Sequence, residues 1–346
     1  MVRIVRTLGF SVIFIFILII ILFVSYKALK SVDSAKKVMT PPEISGWAAW
    51  WDEEKAYDLI QNNPGKIYCV SPVWFMVGSD LKLTDIGSSD KAEIVKELKS
   101  ENVLTFPSLG SNLSGQDLSP LFNDQDKSRE LIESLTNRLI GLGVDGVDVD
   151  LEGIEMSDKD KFSLFLQQLS SQMKKNNLSM SVTIHAQTGT IEWEGVLGQD
   201  IKRIGEIADE VRIMTYDKHS AGSGPGAISP IKWMQEVALF NSAFIDKNKI
   251  VLGIPSYGYV WTKDGDAKGL QFDEFNDYLK GLNYEDSRDA SSKELVVRTD
   301  DFTGWLSDSF AMQSKIENLR AAGYNRFIIW HLGGMDEKFF EKDWAN

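Results

Sequence analysis

Val144-Asp145-Gly146-Val147-Asp148-Val149-Asp150-Leu151-Glu152 is the stretch on which the reading of this chain turns. It starts as an apolar strand and ends as a row of acids. Side chains alternate across a strand, so Asp148, Asp150 and Glu152 share one face and Val147, Val149 and Leu151 the other. The two-residue spacing sets neighbouring carboxylates roughly 6.6–6.8 Å apart. Three acids on the inner face of a strand are expensive to bury, because desolvated unpaired charge costs far more than it returns. Crowding and burial raise the pKa of at least one of them, which keeps a carboxylic acid protonated near neutral pH. Such a row points to acid–base chemistry at the end of a strand.

Working outward, eight strand candidates alternate with helix candidates: about 44–51, 66–77, 102–108, 146–152, 178–186, 210–217, 249–257 and 326–331. Between them lie segments of 3.6-residue period, such as Gln125–Leu142 and Lys159–Lys175, the latter opening after Ser157 or Asp158 as its capping residue. Eight strand–helix units predict an α/β fold, a single (β/α)8 TIM barrel whose active site forms where the strands end. Glu152, read as the last residue of strand four, stands where a catalytic group belongs. One unit is overlong: residues about 262–308, charged and turn-rich, predict a short insertion between strands seven and eight.

The acids Asp145, Asp148, Asp150 and Glu152 fit the D-x-x-D-x-D-x-E pattern. Two further motifs follow in order, Met214-Thr215-Tyr216-Asp217 and Gly253-Ile254-Pro255-Ser256-Tyr257-Gly258. Together they resemble glycoside hydrolase family 18, the family of chitinases and related N-acetylglucosaminidases. Pro225-Gly226-Ala227-Ile228-Ser229-Pro230 and the late Trp330 look like its bacterial branch of spore cortex-lytic and other peptidoglycan-directed members. The resemblance covers about residues 43–340.

The resemblance implies a glycosidase acting on β-linked N-acetylglucosamine glycans, chitin-like or peptidoglycan, by a retaining, substrate-assisted route without metal or cofactor. Glu152 would be the general acid and base. Asp150 would hold the acetamido group of the substrate, Asp148 would tune Asp150 through a shared proton or hydrogen bond, and Tyr216 would donate its hydroxyl to the acetamido oxygen. Met214, Asp217, Trp330, Tyr257 and Trp47 are the candidate substrate-binding residues. His185 reads equally as a core histidine or a ligand contact, and Asp145 as a brace for the strand or the neighbouring turn. Strand three keeps only part of the family's Ser-x-Gly-Gly sequence, in Ser108-Leu109-Gly110-Ser111, which leaves Ser108 without an assigned role. The alternative function is a non-catalytic, chitinase-like lectin at the cell surface, and a third is a surface scaffold for a partner protein.

Composition narrows the partners. A net charge of −13 argues against nucleic acid, since a phosphate backbone needs neutralising cations. Ten Trp supply stacking faces for sugar rings as readily as core volume. The single Cys69 excludes an intrachain disulfide and reads as a small core residue. Asp148-x-Asp150-x-Glu152-Gly153 imitates the start of a calcium loop, but Lys159 stands at its twelfth position, so no metal is expected. Leu8 to Val24 is almost purely apolar and just long enough to cross a bilayer. Residues 1–28 therefore read as an N-terminal transmembrane helix, 29–42 as a tether ending in Pro41-Pro42, and 43–346 as the barrel. No small-x-small cleavage site follows the apolar run. Arg3 and Arg6 precede it and Lys27, Lys30, Lys36 and Lys37 follow, which opposes an outward-facing barrel on the positive-inside count. The substrate class outweighs that count. The expectation is a monomer at the cell membrane, single-pass, with the catalytic domain extracytoplasmic.

Overall fold

A computed structural model of the chain describes residues 40–190 and 194–344. The apolar segment Leu8–Val24 and most of the tether lie outside the described residues. Among the described residues, no helix is long and apolar enough to cross a membrane.

Eight parallel strands close into a barrel: β1 (Glu43–Ala48), β2 (Cys69–Val77), β5 (Ser108–Ser111), β6 (Gly146–Asp150), β7 (Ser179–His185), β8 (Glu210–Met214), β9 (Ile250–Pro255) and β15 (Arg326–Trp330). Pairing of β1 with both β15 and β2 completes the ring. Two short strands flank β2, β3 (Leu83–Asp85) antiparallel and β4 (Leu104–Thr105) parallel. The third strand candidate is thus split: β4 and β5 are separated by Phe106-Pro107, since proline cannot donate to the ladder.

The helices follow the sequence periods closely. Gln125–Leu142 and Lys159–Lys175 are helical from end to end. The first is capped by Asp124, which accepts from the backbone N–H groups of Asp126 and Lys127, and it stops at Gly143, whose φ of 69° suits glycine. The second opens through a 3₁₀ turn, Met156–Asp158, with no side-chain cap. Their apolar stripes, Leu131, Leu135 and Leu139 on one and Phe162, Leu166 and Leu169 on the other, belong to one buried core with Val147, Val149 and Leu151. The outward valines of the deciding stretch are therefore the contact between barrel and helices, which frees the opposite face for polar side chains.

The insertion is larger and more regular than the sequence suggested. It begins at Tyr257 and ends at Leu306, as β10 (Tyr257–Thr262), β11 (Ala267–Gln271), β12 (Glu285–Arg288), β13 (Leu295–Arg298) and β14 (Phe302–Leu306). These form an antiparallel sheet in the order β11-β10-β14-β13-β12, with the helix Phe272–Leu279 packed on it. Val260, Phe275, Val297 and Leu306 give it a core of its own. Buried Glu294 ties it to the barrel, accepting from the backbone N–H groups of Ile228 (2.9 Å) and Ser229 (3.0 Å) and from Lys315 Nζ (2.9 Å).

Candidate active site

The row of acids is graded in depth. Asp148 is completely buried. Strand register explains why it is tolerated there: Ser108 on β5 and Ser181 on β7 stand directly opposite it. Its Oδ1 accepts from Ser181 Oγ (2.8 Å) and Thr183 Oγ1 (3.0 Å), and its Oδ2 from Trp47 Nε1 (2.9 Å) and Ser108 Oγ (3.1 Å). Arg212 Nη1 lies 3.1 Å from the same Oδ2. With donors on both oxygens, Asp148 makes no hydrogen bond to Asp150 among the described residues. The expected shared bond is replaced by an effect through charge alone.

Asp150 closes β6, one step nearer the cleft, and its buried Oδ1 has no hydrogen-bond partner. Burial, then the charges of Glu152 and Asp148, holds its carboxyl well above the usual aspartate range. Glu152 lies two residues beyond the strand, not at its last position, with its side chain 49% exposed. Burial against the cleft wall, then the charge of Asp217, raises its pKa as well. His185, at the end of β7, reaches it at 3.3 Å from Nε2 to Oε2. Burial pushes the imidazole down to about 4, so the ring is neutral at ordinary pH and can accept a proton bond from a protonated Glu152.

Above these acids opens a cleft of about 420 Å³, a size that encloses a sugar unit. Asp150, Glu152, Tyr216, Met214, Asp217 and Trp330 all line it. Tyr216 and Asp217 lie past the end of β8, which stops at Met214, and Asp217 takes a φ of 59°. Burial and the nearby acids, Asp150 foremost, keep the Tyr216 hydroxyl well above 10, hence protonated and able to donate. Gly253 gives the Tyr216 ring its place: a Cβ there would stand 2.7 Å from Tyr216 Cε1 and 2.9 Å from the Ile213 carbonyl oxygen. Two of the sequence motifs thus meet as one packing contact.

Two binding candidates are placed differently. Trp47 is 1% exposed beneath the cleft, where its indole N–H is spent on Asp148, so it supports the acid row and does not touch the cleft. Tyr257 opens the insertion and donates its hydroxyl to Asp217. It lines an adjoining recess of about 400 Å³, which shares Asp217 and Trp330 with the cleft and is walled by Gln271 and Glu274 of the insertion. Trp330 stands edge-on to Trp47, ring centroids 5.7 Å apart. Ser108 acquires a role as a donor to Asp148, and Asp145 braces the neighbouring strand by accepting from Thr105 N at 2.9 Å. Cys69 is a core residue, its thiol pushed up to about 12 by burial. No cluster of His, Cys, Asp and Glu with metal-site geometry occurs among the described residues.

Sequence reasoning missed Ser181, Thr183 and Arg212, which surround Asp148, and Lys218 and Trp233, which line the cleft. Ser181, Thr183 and His185 recur at every second position of one strand, a polar inward stripe that was readable. Nothing in the sequence marks Trp233, because it lies on the helix Ile231–Asn241.

Known proteins resemble this chain in sequence and in fold. The chain is 25% identical over 208 residues to the uncharacterized glycosylase YvbX of Bacillus subtilis (strain 168), spanning 57% of this chain and 59% of that one. It is also 25% identical over 225 residues to the cortical fragment-lytic enzyme of the same organism, across 62% of this chain and 52% of the relative. The chain thus spans about half the length of these relatives. The fold matches the crystal structure of the spore cortex-lytic enzyme SleL of Bacillus megaterium QM B1551 with a TM-score of 0.76 at 21% identity, over 87% of this chain and 73% of that one. The sequence pattern of the glycosyl hydrolases family 18 matches residues 20–336, and the chain belongs to that family.

Proposed function

We propose that this protein is a retaining glycosidase that cleaves β-linkages after N-acetylglucosamine in chitin-like or peptidoglycan glycans. The observation that carries the reading is the pairing at the cleft floor. Glu152 is half-exposed with a raised pKa, and Asp150 below it has a buried oxygen that lacks a partner. An acid at the mouth suits proton transfer to a leaving oxygen. An unpaired carboxyl oxygen one step deeper suits the N–H of an acetamido group.

In this reaction Glu152 gives its proton to the glycosidic oxygen as the bond to the anomeric carbon breaks. The substrate's acetamido oxygen forms a bond to that carbon in its place, giving a cyclic oxazolinium, and the aglycone leaves as an alcohol. Asp150 accepts the acetamido N–H through the oxygen that lacks a partner and holds the group in place as positive charge develops there. Tyr216 donates its hydroxyl to the acetamido oxygen and orients it. Water then adds to the anomeric carbon, the Glu152 carboxylate takes its proton, and the acetamido group re-forms. Two inversions leave the configuration retained, and no protein nucleophile is required.

Incubation of the full chain with chito-oligosaccharides and with purified peptidoglycan, products read by mass spectrometry, tests the assignment. The expected products are fragments ending in reducing N-acetylglucosamine. Binding of chito-oligosaccharide without turnover would instead favour the lectin, and no sugar binding at all the scaffold.

The same reading places the enzyme outside the cytoplasmic membrane, anchored by Leu8–Val24 and acting as a monomer. The support is the length of that apolar run and a substrate found outside the cell. Protease added to intact cells is expected to remove the barrel. Its survival until the membrane is broken would reverse the orientation.

A further inference from the structure

One cation lies inside the barrel, below the acids. Arg212, on β8 two residues before Met214, is completely buried, and its guanidinium reaches Asp148 Oδ2 at 3.1 Å. It also donates to Ser71 Oγ and meets Cys69 Sγ at 3.7 Å. The rings of Trp47 and Phe106 flank it, their centroids 6.0 and 5.7 Å from its central carbon. Such a cation is costly to bury and is not required to close a barrel, whose interior is ordinarily filled by branched apolar side chains.

The neighbouring charges assign its effect. Glu210 lies 3.7 Å from Arg212 Nη2 but is itself paired with Arg326. Cys69, its thiol pushed up to about 12, carries no charge. Nearer the cleft, Asp150 and Glu152 have raised pKa values and Tyr216 keeps its proton. Asp148 faces Arg212 and, on its remaining sides, the N–H of Trp47 and the hydroxyls of Ser108, Ser181 and Thr183. Arg212 and the indole N–H can only donate. A proton on Asp148 could point only to one of the three hydroxyls, which would have to turn from donor to acceptor. With Arg212 present, the buried set of Asp148, Asp150 and Arg212 is neutral when it holds one proton. Without Arg212 it is neutral only when it holds two.

We propose that Arg212 is a positioning residue of the catalytic apparatus: it holds Asp148 as an acceptor-only carboxylate, so that the one proton of the acid pair sits on Asp150, toward the cleft. The inference rests on the glycosidase reading above, and it assigns a chemical task to a residue outside the family's motifs. Arg212 touches no substrate; it acts through Asp148 and, at one remove, through Asp150.

The test is the pH profile of kcat/KM for the wild-type chain, Arg212→Met and Arg212→Lys. Loss of the cation makes the pair take up its second proton more readily. The acidic limb of Arg212→Met should therefore move to higher pH, by about one pH unit or more, which is a tenfold loss on the acid side. Arg212→Lys keeps the charge and should leave the limb in place, whatever it does to the plateau. A folded Arg212→Met with a lower plateau and an unmoved limb would show a purely structural arginine and overturn the proposal. So would a limb that Arg212→Lys moves equally far. Carboxyl-labelled aspartate NMR on the wild-type chain decides independently of variant folding and of turnover. The Asp148 signal should not follow Asp150 through its titration, and joint titration of the two carboxyls sinks the proposal. Should the wild-type chain cleave no glycan while the two signals remain independent, the glycosidase reading fails and the charge assignment stands.

Discussion

Removal of the N-acetyl group from the reacting sugar is expected to reduce turnover on the order of 10⁵-fold, since the acetamido oxygen is an intramolecular nucleophile and effective molarities for such reactions start near 10⁵ M. Asp148 is enclosed by five donors, and burial with the charges of Glu152 and Asp148 holds the Asp150 carboxyl well above the usual aspartate range, so neither is arranged to replace it. Deacetylated oligomers or unsubstituted glucans should remain intact under conditions that exhaust acetylated substrate, and a thiazoline analogue of N-acetylglucosamine should inhibit competitively. Rapid cleavage of the deacetylated oligomer would rule out the substrate-assisted route.

Glu152→Gln should lower kcat by roughly 10²–10⁴-fold or more, the usual worth of a positioned general acid. The amide has nearly the same shape but cannot give up a proton. Because the side chain is half-exposed and its polar neighbour is the neutral His185, the substitution leaves no buried charge unpaired. Thermal stability and oligosaccharide affinity should stay close to wild type, which separates a catalytic loss from unfolding. The raised pKa of Glu152 supplies the sign of the alkaline limb. The group stays protonated to higher pH than an exposed glutamate, and kcat/KM falls as pH rises through that value. A variant with wild-type turnover would remove Glu152 from the mechanism.

What the sequence determined by itself is what local period and local order can carry. Alternation placed Asp148 and Asp150 on the inner face and Val147, Val149 and Leu151 against the helices, because the side-chain period of a strand is fixed by backbone geometry. The stripes of Gln125–Leu142 and Lys159–Lys175 delimited those helices to the residue, since amphipathic burial and the turn at Gly143 act within the segment. The first two motifs located Glu152, Asp150 and Tyr216, and these three residues line one cleft.

Tertiary structure decided how the deepest acid is paid for and where the cleft walls stand. Trp47 lies 101 positions from Asp148 in the chain and looked like a sugar platform; only the closure of β1 onto its neighbours turns its N–H to the acid. Arg212, Ser181 and Thr183 reach Asp148 from two other strands, a convergence set by barrel register and by no pattern within either strand. Residues about 262–308 read as a charged excursion because the strands there are short and β12 is exposed along its whole length. They become a sheet only by pairing β10 with β14 across some forty residues, a contact that local periodicity does not contain.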